Sequence, residues 1–266
     1  MLLNLSKSWS VSFVLRHRKY MTLASAIRYR NCLLRQRRNR ASSQSLMRLR
    51  MRRPFDGDIW LREVGSDEDT FKEIVVKQVY NRLFDQVKGC GYLIDLGANI
   101  GLASRLFANT FPGCKIFAVE PDANNFTLLQ RNLASLIGSG RCAAERAAVW
   151  DRDAKVNLGA PPDGTGFNAI RVSPEGNGDA HFVDGYTMST LFARSAFPRI
   201  DVLKVDVEGA EVELFHGDVS WLERVGMLAI EFHGDSRAQS GFDAMMARYG
   251  FKVDDSHAHT VLATRA

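Results

Sequence analysis

The residues best equipped for chemistry fall in two stretches. The first is Asp95-Leu96-Gly97-Ala98-Asn99-Ile100-Gly101, followed 25 residues after Asp95 by Glu120. Glycines in such a run let the chain turn sharply and let a ligand lie against backbone N–H groups at the start of the next helix. A nicotinamide dinucleotide site would carry G-x-G-x-x-G and hold a pyrophosphate there. This run instead spaces two glycines four residues apart and sets a carboxylate before them. A carboxylate would repel a pyrophosphate but suits a ligand with a cationic amino acid portion. Glu120 could accept two hydrogen bonds at once from a ribose. Plainer roles compete: Asp95 as a cap for the next helix, Glu120 as an exposed strand end.

The second stretch is Lys204, Asp206, Glu208 and Glu211, with Glu231 and His233 further on. Carboxylates and an imidazole beyond strand ends can take a proton during a reaction. Lys204 lies two residues before Asp206, on the same face of a strand, where it could pair with that carboxylate or orient a substrate. Glu208 and Glu211 begin a helix, where the helix dipole favours acids for stability alone. His233 is read equally as a general base or as an ordinary hydrogen-bonded histidine. Asp206, Glu208 and His233 would permit a divalent ion, but their spacing does not require one and no metal is assigned.

These residues need strands that end near one another. Tyr92, Leu93 and Ile94 form a short apolar run, and Leu102–Thr110 reads as the helix after it. Lys115–Glu120 is strand-like; Pro121-Asp122 ends it and caps a helix with Phe126, Leu129, Leu133 and Leu136 on its buried stripe. Residues 141–149 read as a third strand, Lys155–Leu158 as a short edge strand, 200–206 and 227–232 as the fourth and fifth, and 251–253 with 260–264 as a closing pair. Ser66-Asp67-Glu68-Asp69 is a capping signal for a helix over about 67–80. Alternating strands and helices predict a doubly wound, Rossmann-like α/β domain with a mostly parallel sheet and helices on both faces. The Gly, Pro, Asn and Asp-rich segment 159–178 is expected to be a functional loop, a lid or an acceptor-binding segment.

Composition sets limits. The chain has 266 residues, 45% of them hydrophobic, enough for one sizeable core. Four cysteines, Cys32, Cys90, Cys114 and Cys142, are far apart in sequence and form no zinc or redox motif, which points to a reducing cytoplasm. The run Trp9–Leu15 is too short to span a membrane. Residues 1–55 hold fourteen Lys or Arg and no acid, leaving 21 basic against 30 acidic residues, about −9, for the remainder. The division predicted is therefore a basic arm over 1–55, helical or disordered, and a catalytic domain over 56–266. In the arm, Leu23, Ala26, Ile27, Leu33 and Leu34 fall on one helical side and Arg28, Arg35 and Arg38 on the other, as in a helix lying on an anionic membrane surface. A solubilising tail, a transit peptide and a helix packed on its own domain are alternative readings.

Four segments carry a resemblance: 66–71 (SDEDTF), 94–101 (IDLGANIG), 119–122 (VEPD) with Asn125, Phe126 and Leu129, and 201–211 (DVLKVDVEGAE). Over about 60–233 the chain resembles the class I S-adenosylmethionine-dependent methyltransferases, and more narrowly the FkbM-type family. The resemblance implies a seven-stranded sheet, with S-adenosylmethionine held by Asp95, Gly97, Asn99, Gly101 and Glu120 and its adenine beside the Ala148 backbone. It also implies O-methylation of a hydroxyl on a sugar, glycan or secondary metabolite. Asp206 is then the first choice of base, with Glu208, Lys204 and His233 beside it. Two other readings stand: an RNA 2'-O-methyltransferase whose arm follows phosphates, and a catalytically inactive binding protein. Against the first, the arm lacks regular aromatic residues for base stacking. The expected location is cytoplasmic, with the arm peripheral at the inner face of a membrane; acceptor and oligomeric state are left open.

Overall fold

The computed structural model describes residues 12–38, 40–42, 45–159, 171–173, 181–256 and 260–265. It divides into two compact units, Met1–Gln78 and Val79–Ala266.

In the first unit, helix α1 (Leu23–Arg37) accompanies an antiparallel hairpin of β1 (Leu46–Met51) and β2 (Gly57–Arg62). Strand β1 alternates strictly, with Met47, Leu49 and Met51 buried and Leu46, Arg48 and Arg50 exposed. That period of two is the signature of a half-buried strand, and it was obscured by the basic composition. Residue 55, the expected end of a basic arm, lies within the turn of this hairpin. Helix α1 buries Ser25, Ala26, Tyr29 and Cys32, whereas Leu23 is 56% and Ile27 42% exposed. Of the apolar side read from the sequence, Ala26 is packed and Leu33 and Leu34 are half-buried, so the packed side overlaps it only in part. Tyr29 wins because it stacks edge-on against Phe71, and Ser25 because its hydroxyl accepts from the Arg50 N–H at 2.7 Å. Arg35 pairs with Glu63 and Arg62 with buried Asp67.

The helix expected over 67–80 starts on time as α2 (Asp67–Phe71) but widens to a π-helix over Lys72–Lys77 and stops at left-handed Gln78. Ser66 does not cap it through its side chain. Asp67 is instead turned back to the Arg62 N–H at 2.6 Å, and the acids of the first turn act through the dipole.

The second unit adds α3 (Asn81–Gln86), β3 (Tyr92–Leu96), α4 (Leu102–Thr110), β4 (Lys115–Val119), α5 (Ala123–Asn132), α6 (Ala134–Gly138) and β5 (Cys142–Glu145). After these come β6 (Ala147–Val149), β7 (Ala154–Gly159), β8 (Arg171–Ser173), β9 (His181–Tyr186), α7 (Met188–Ser195), β10 (Ile200–Val205), α8 (Glu211–Leu214) and β11 (Val225–Ile230). The unit closes with α9 (Ser236–Gln239), α10 (Phe242–Arg248), β12 (Phe251–Asp254) and β13 (Val261–Arg265). One sheet has seven strands in the order β12-β13-β11-β10-β3-β4-β5. Strand β13 alone runs against the other six, so its pairings with β11 and β12 are antiparallel and the remaining ones parallel. Four of the five residues of β3 and of β4 are buried, as expected of parallel strands covered on both faces. Their side chains join those of β10 and β11 in the main core.

The strand expected over 141–149 is two strands, interrupted at Arg146, that belong to different sheets. β6 enters a four-stranded sheet of order β6-β9-β7-β8. The expected edge strand over 155–158 is interior there, paired on both sides by β8 and β9. Apart from the β7 and β8 strand residues, the segment expected as a lid over 159–178 lies outside the described residues. Cys90 and Cys114, remote in sequence, precede the neighbouring strands β3 and β4 and so bring their sulfurs to 3.4 Å as free thiols. Among the described residues no helix is long and apolar enough to cross a membrane.

Candidate active site

Strand β3 sits where the order of the large sheet reverses, with β4 on one side and β10 on the other. In open α/β sheets the crevice beyond the carboxyl ends at such a reversal is where ligands bind. The parallel register sets Asp95 directly beside Lys204 and Leu96 beside both Val119 and Val205. Neighbouring positions on parallel strands share a face, so the Lys204 ammonium reaches Asp95 Oδ1 at 3.1 Å. It also donates to the Gly97 carbonyl at 2.7 Å and lies 3.5 Å from Asp206 Oδ2.

Beyond β3 the loop is held by the protein itself. The Ala98 N–H donates to the Val119 carbonyl (2.9 Å), the Gly101 N–H to Ala98 (2.8 Å), and the Asn99 N–H to Glu120 Oε2 (2.8 Å). These amides are therefore not the bare donors expected of a phosphate cradle. Gly97 has φ +69°, and a Cβ there would land 1.7 Å from the Asp206 carbonyl oxygen. Close passage of the chain after β10 makes glycine obligatory at this point. At Gly101, φ +83°, a Cβ would press on Leu129 of α5 and on Leu133 just after it, so this glycine serves helix packing.

The crevice is an open cleft whose void, counted out to solvent, is about 590 Å³. Of the residues expected to hold a cofactor, Gly97, Asn99, Glu120 and Ala148 line it. Asp95 and Gly101 do not. Asp95 is fully buried, its carboxylate occupied by Lys204 and by the Ser104 hydroxyl at 2.6 Å. Of the expected catalytic residues, Asp206 and Glu208 line the cleft, while Lys204 supports them from behind and His233 stands beside Glu208. Sequence reading missed two neighbours as site residues. Asn125 donates to Glu120 Oε1 at 3.4 Å, and its place one turn into the helix after Glu120 was the available signal. Ser104 stands nine residues after Asp95, a spacing that carries no recognisable pattern.

Burial and charge tune these groups. Glu120, 5% exposed, is pushed up to about 7 by burial, against the pull of the Asp122 and Asn99 N–H groups. Burial works against the charge on Lys204, but Asp95 and Asp206 outweigh it and hold the amine protonated above the usual lysine range. Burial likewise raises Glu208 to about 7, opposed by His233. His233 Nδ1 lies 2.6 Å from Glu211 Oε1 and Nε2 lies 3.3 Å from Glu208 Oε2. The hydrogen bond to Glu211, opposed by burial and aided by Glu208, lifts the imidazole to about 9. An imidazole held in this way keeps its proton more tightly than a free histidine and is a poorer proton acceptor.

A sheet reversed at β3, a glycine-bearing turn after it and an acid at the end of β4 together define a Rossmann-like α/β arrangement with a cleft at the reversal. The chain belongs to the FkbM family: residues 95–253 match the methyltransferase FkbM domain. It is accordingly an S-adenosylmethionine-dependent methyltransferase. It is 25% identical to methyltransferase sdnD of Sordaria araneosa over 71% of this chain and 83% of that one. With 31-O-demethyl-FK506 methyltransferase FkbM of Streptomyces tacrolimicus the identity is 26%, over 71% of this chain and 83% of that one. With hexuronic acid methyltransferase AglP of Haloferax volcanii it is 25%, over 66% of each chain.

Proposed function

We propose that the cleft takes S-adenosylmethionine and that the protein methylates a hydroxyl oxygen of a sugar, glycan or secondary metabolite. What supports the reading is Glu120: a carboxylate shut from bulk water, at a strand end, opening on a cleft walled by Leu96, Val119, Ala147 and Val149. A buried acid beside apolar walls fits a ribose with an adenine next to it. Gly97, Asn99 and the Ala148 backbone complete that contact surface. Asp95 contributes indirectly by fixing Lys204, and Gly101 by seating the helix after the loop. The names of the hexuronic acid and FK506 relatives favour a hydroxyl-rich small molecule or glycan as acceptor.

The cofactor supplies an activated methyl group on sulfur. The chain's task is to align an acceptor oxygen with it and exclude water, which is worth up to about 7 to 11 kcal/mol. Asp206, at the cleft, takes the hydroxyl proton as the C–O bond forms, and protonated Lys204 holds that carboxylate in place. His233 orients Glu208.

Asp206→Asn is expected to leave S-adenosylmethionine affinity within about threefold and to cut turnover by about 100-fold. Methyl transfer from labelled cofactor to a panel of uronic acids, glycosides and polyketide alcohols checks this; undiminished turnover removes Asp206 from the chemistry, and transfer to none of the panel removes the acceptor class.

Cofactor affinity should also depend on pH. Ionised Glu120 is the form that accepts two hydroxyl hydrogen bonds, and its carboxyl is raised to about 7 in the free protein. Affinity should be flat above about pH 7.5 and fall towards tenfold per unit below pH 7 as Glu120 takes a proton. Glu120→Gln should flatten that profile. Equal wild-type affinity at pH 6 and pH 8 would contradict the assignment.

A further inference from the structure

We propose that Asp206, Glu208 and His233 form a divalent-cation site at the acceptor side of the cleft. Each offers one ligand atom, and these atoms lie within 4.8 Å of one another. Asp206 and Glu208 stand two residues apart in the loop between β10 and α8, and folding brings His233 to them from the segment after β11. Two of them, Asp206 and Glu208, line the cleft, which leaves coordination positions open to a substrate.

Two further observations point the same way. Glu211 is not one of the three, is fully buried, and holds His233 Nδ1 at 2.6 Å, which leaves Nε2 directed to Glu208. An imidazole fixed through one nitrogen by a carboxylate and presenting the other is the arrangement that supports metal-bound histidines. Charge is the other observation. Asp95, Asp206, Glu208 and Glu211 stand within ion-pair distance of only Lys204 and His233 among the described residues. The second oxygen of Glu211, closed to water, has no hydrogen-bond partner. Lys204 is thus the one lysine or arginine paired with these four acids among the described residues, and it stands on the Asp95 and Asp206 side, away from the Glu208–His233 end where an ion would sit. One imidazole and two carboxylates suit a first-row divalent ion that takes mixed nitrogen and oxygen ligands, such as manganese(II).

The inference rests on the methyl-transfer reading and narrows its acceptor to molecules presenting two adjacent oxygens, such as a vicinal diol or a hydroxy acid. The ion would acidify the reacting hydroxyl. As the sulfur–methyl bond breaks and the oxygen–methyl bond forms, the hydroxyl proton passes to the Asp206 oxygen not engaged with the ion.

Manganese(II) titrated into the full chain, with the free ion followed by electron paramagnetic resonance, tests the site. One saturable ion per chain is expected, weakened by about 10- to 100-fold in Glu211→Gln and His233→Gln. Both variants should bind S-adenosylmethionine within about twofold of wild type by calorimetry, since neither side chain lines the cleft. No saturable uptake by the wild type, or uptake undiminished in both variants, overturns the site. Cofactor binding without manganese uptake sinks this inference alone, whereas manganese uptake without cofactor binding sinks the reading of the cleft and leaves the ion site standing.

Discussion

Glu120→Ala is expected to weaken S-adenosylmethionine binding by about 100-fold, close to 2.7 kcal/mol. A hydrogen bond to a charged group contributes roughly 1.5 to 3 kcal/mol, and two are at stake. Part of that gain is already offset in the free protein, where burial disfavours the charged carboxylate. Glu120 also accepts from the Asn99 and Asp122 N–H groups, so the alanine variant loosens the loop as well as the grip on the ribose. Glu120→Gln keeps the shape and one acceptor oxygen, and should cost about tenfold. Calorimetry, with circular dichroism to establish folding, reads both; a folded alanine variant within threefold of wild type would remove Glu120 from cofactor recognition.

The largest effect on stability is expected at Lys204. Its side chain is 4% exposed, and its ammonium is the charge partner of fully buried Asp95. Lys204→Met should destabilise the protein by about 3 to 5 kcal/mol, because it strands a carboxylate where water cannot reach it. A chain whose total stability is of the usual 5 to 15 kcal/mol would lose a large share of it. Removing the buried charge as well should recover most of the loss: in the double variant Asp95→Asn with Lys204→Met, the amide still takes the Ser104 hydroxyl bond, and the carboxylate left without its ammonium, Asp206, is partly open to water. Urea denaturation of the two variants gives the comparison. A single variant within 1 kcal/mol of wild type, or a double variant no better than the single, would show that the pair is not what holds the β3 and β10 ends together.

What the sequence made legible was the part governed by short-range rules. Leu102–Thr110 is helical over the span read from its pattern, and Asp122 caps α5 by accepting from the Asn124 and Asn125 N–H groups. Runs of apolar residues bounded by turn formers gave strands β3, β4, β10 and β11 to within two residues. Long-range pairing was not legible. Residues 141–149 look like one strand because nothing local marks Arg146 as the point where the chain leaves one sheet for another. Residues 46–51 do alternate, but a count of arginines concealed the period. Gly97 was read as making room for a ligand, and the atom it makes room for is the Asp206 carbonyl, 109 positions further along. Asp95 was read as facing a ligand, and its register beside Lys204 turns it into the buried half of an ion pair. His233 was left between two roles because its partner, Glu211, lies on another element and only the fold brings them to 2.6 Å.

The central claim is that a sulfonium nucleoside lies in the cleft with its ribose on Glu120 and its sulfur towards Asp206. A crystal structure of the full chain grown with S-adenosylhomocysteine tests this most directly. Both ribose hydroxyls are expected within hydrogen-bond distance of the Glu120 carboxylate, with the adenine against Ala147–Val149. A nucleoside bound elsewhere, or a cleft left empty at saturating ligand, would contradict it.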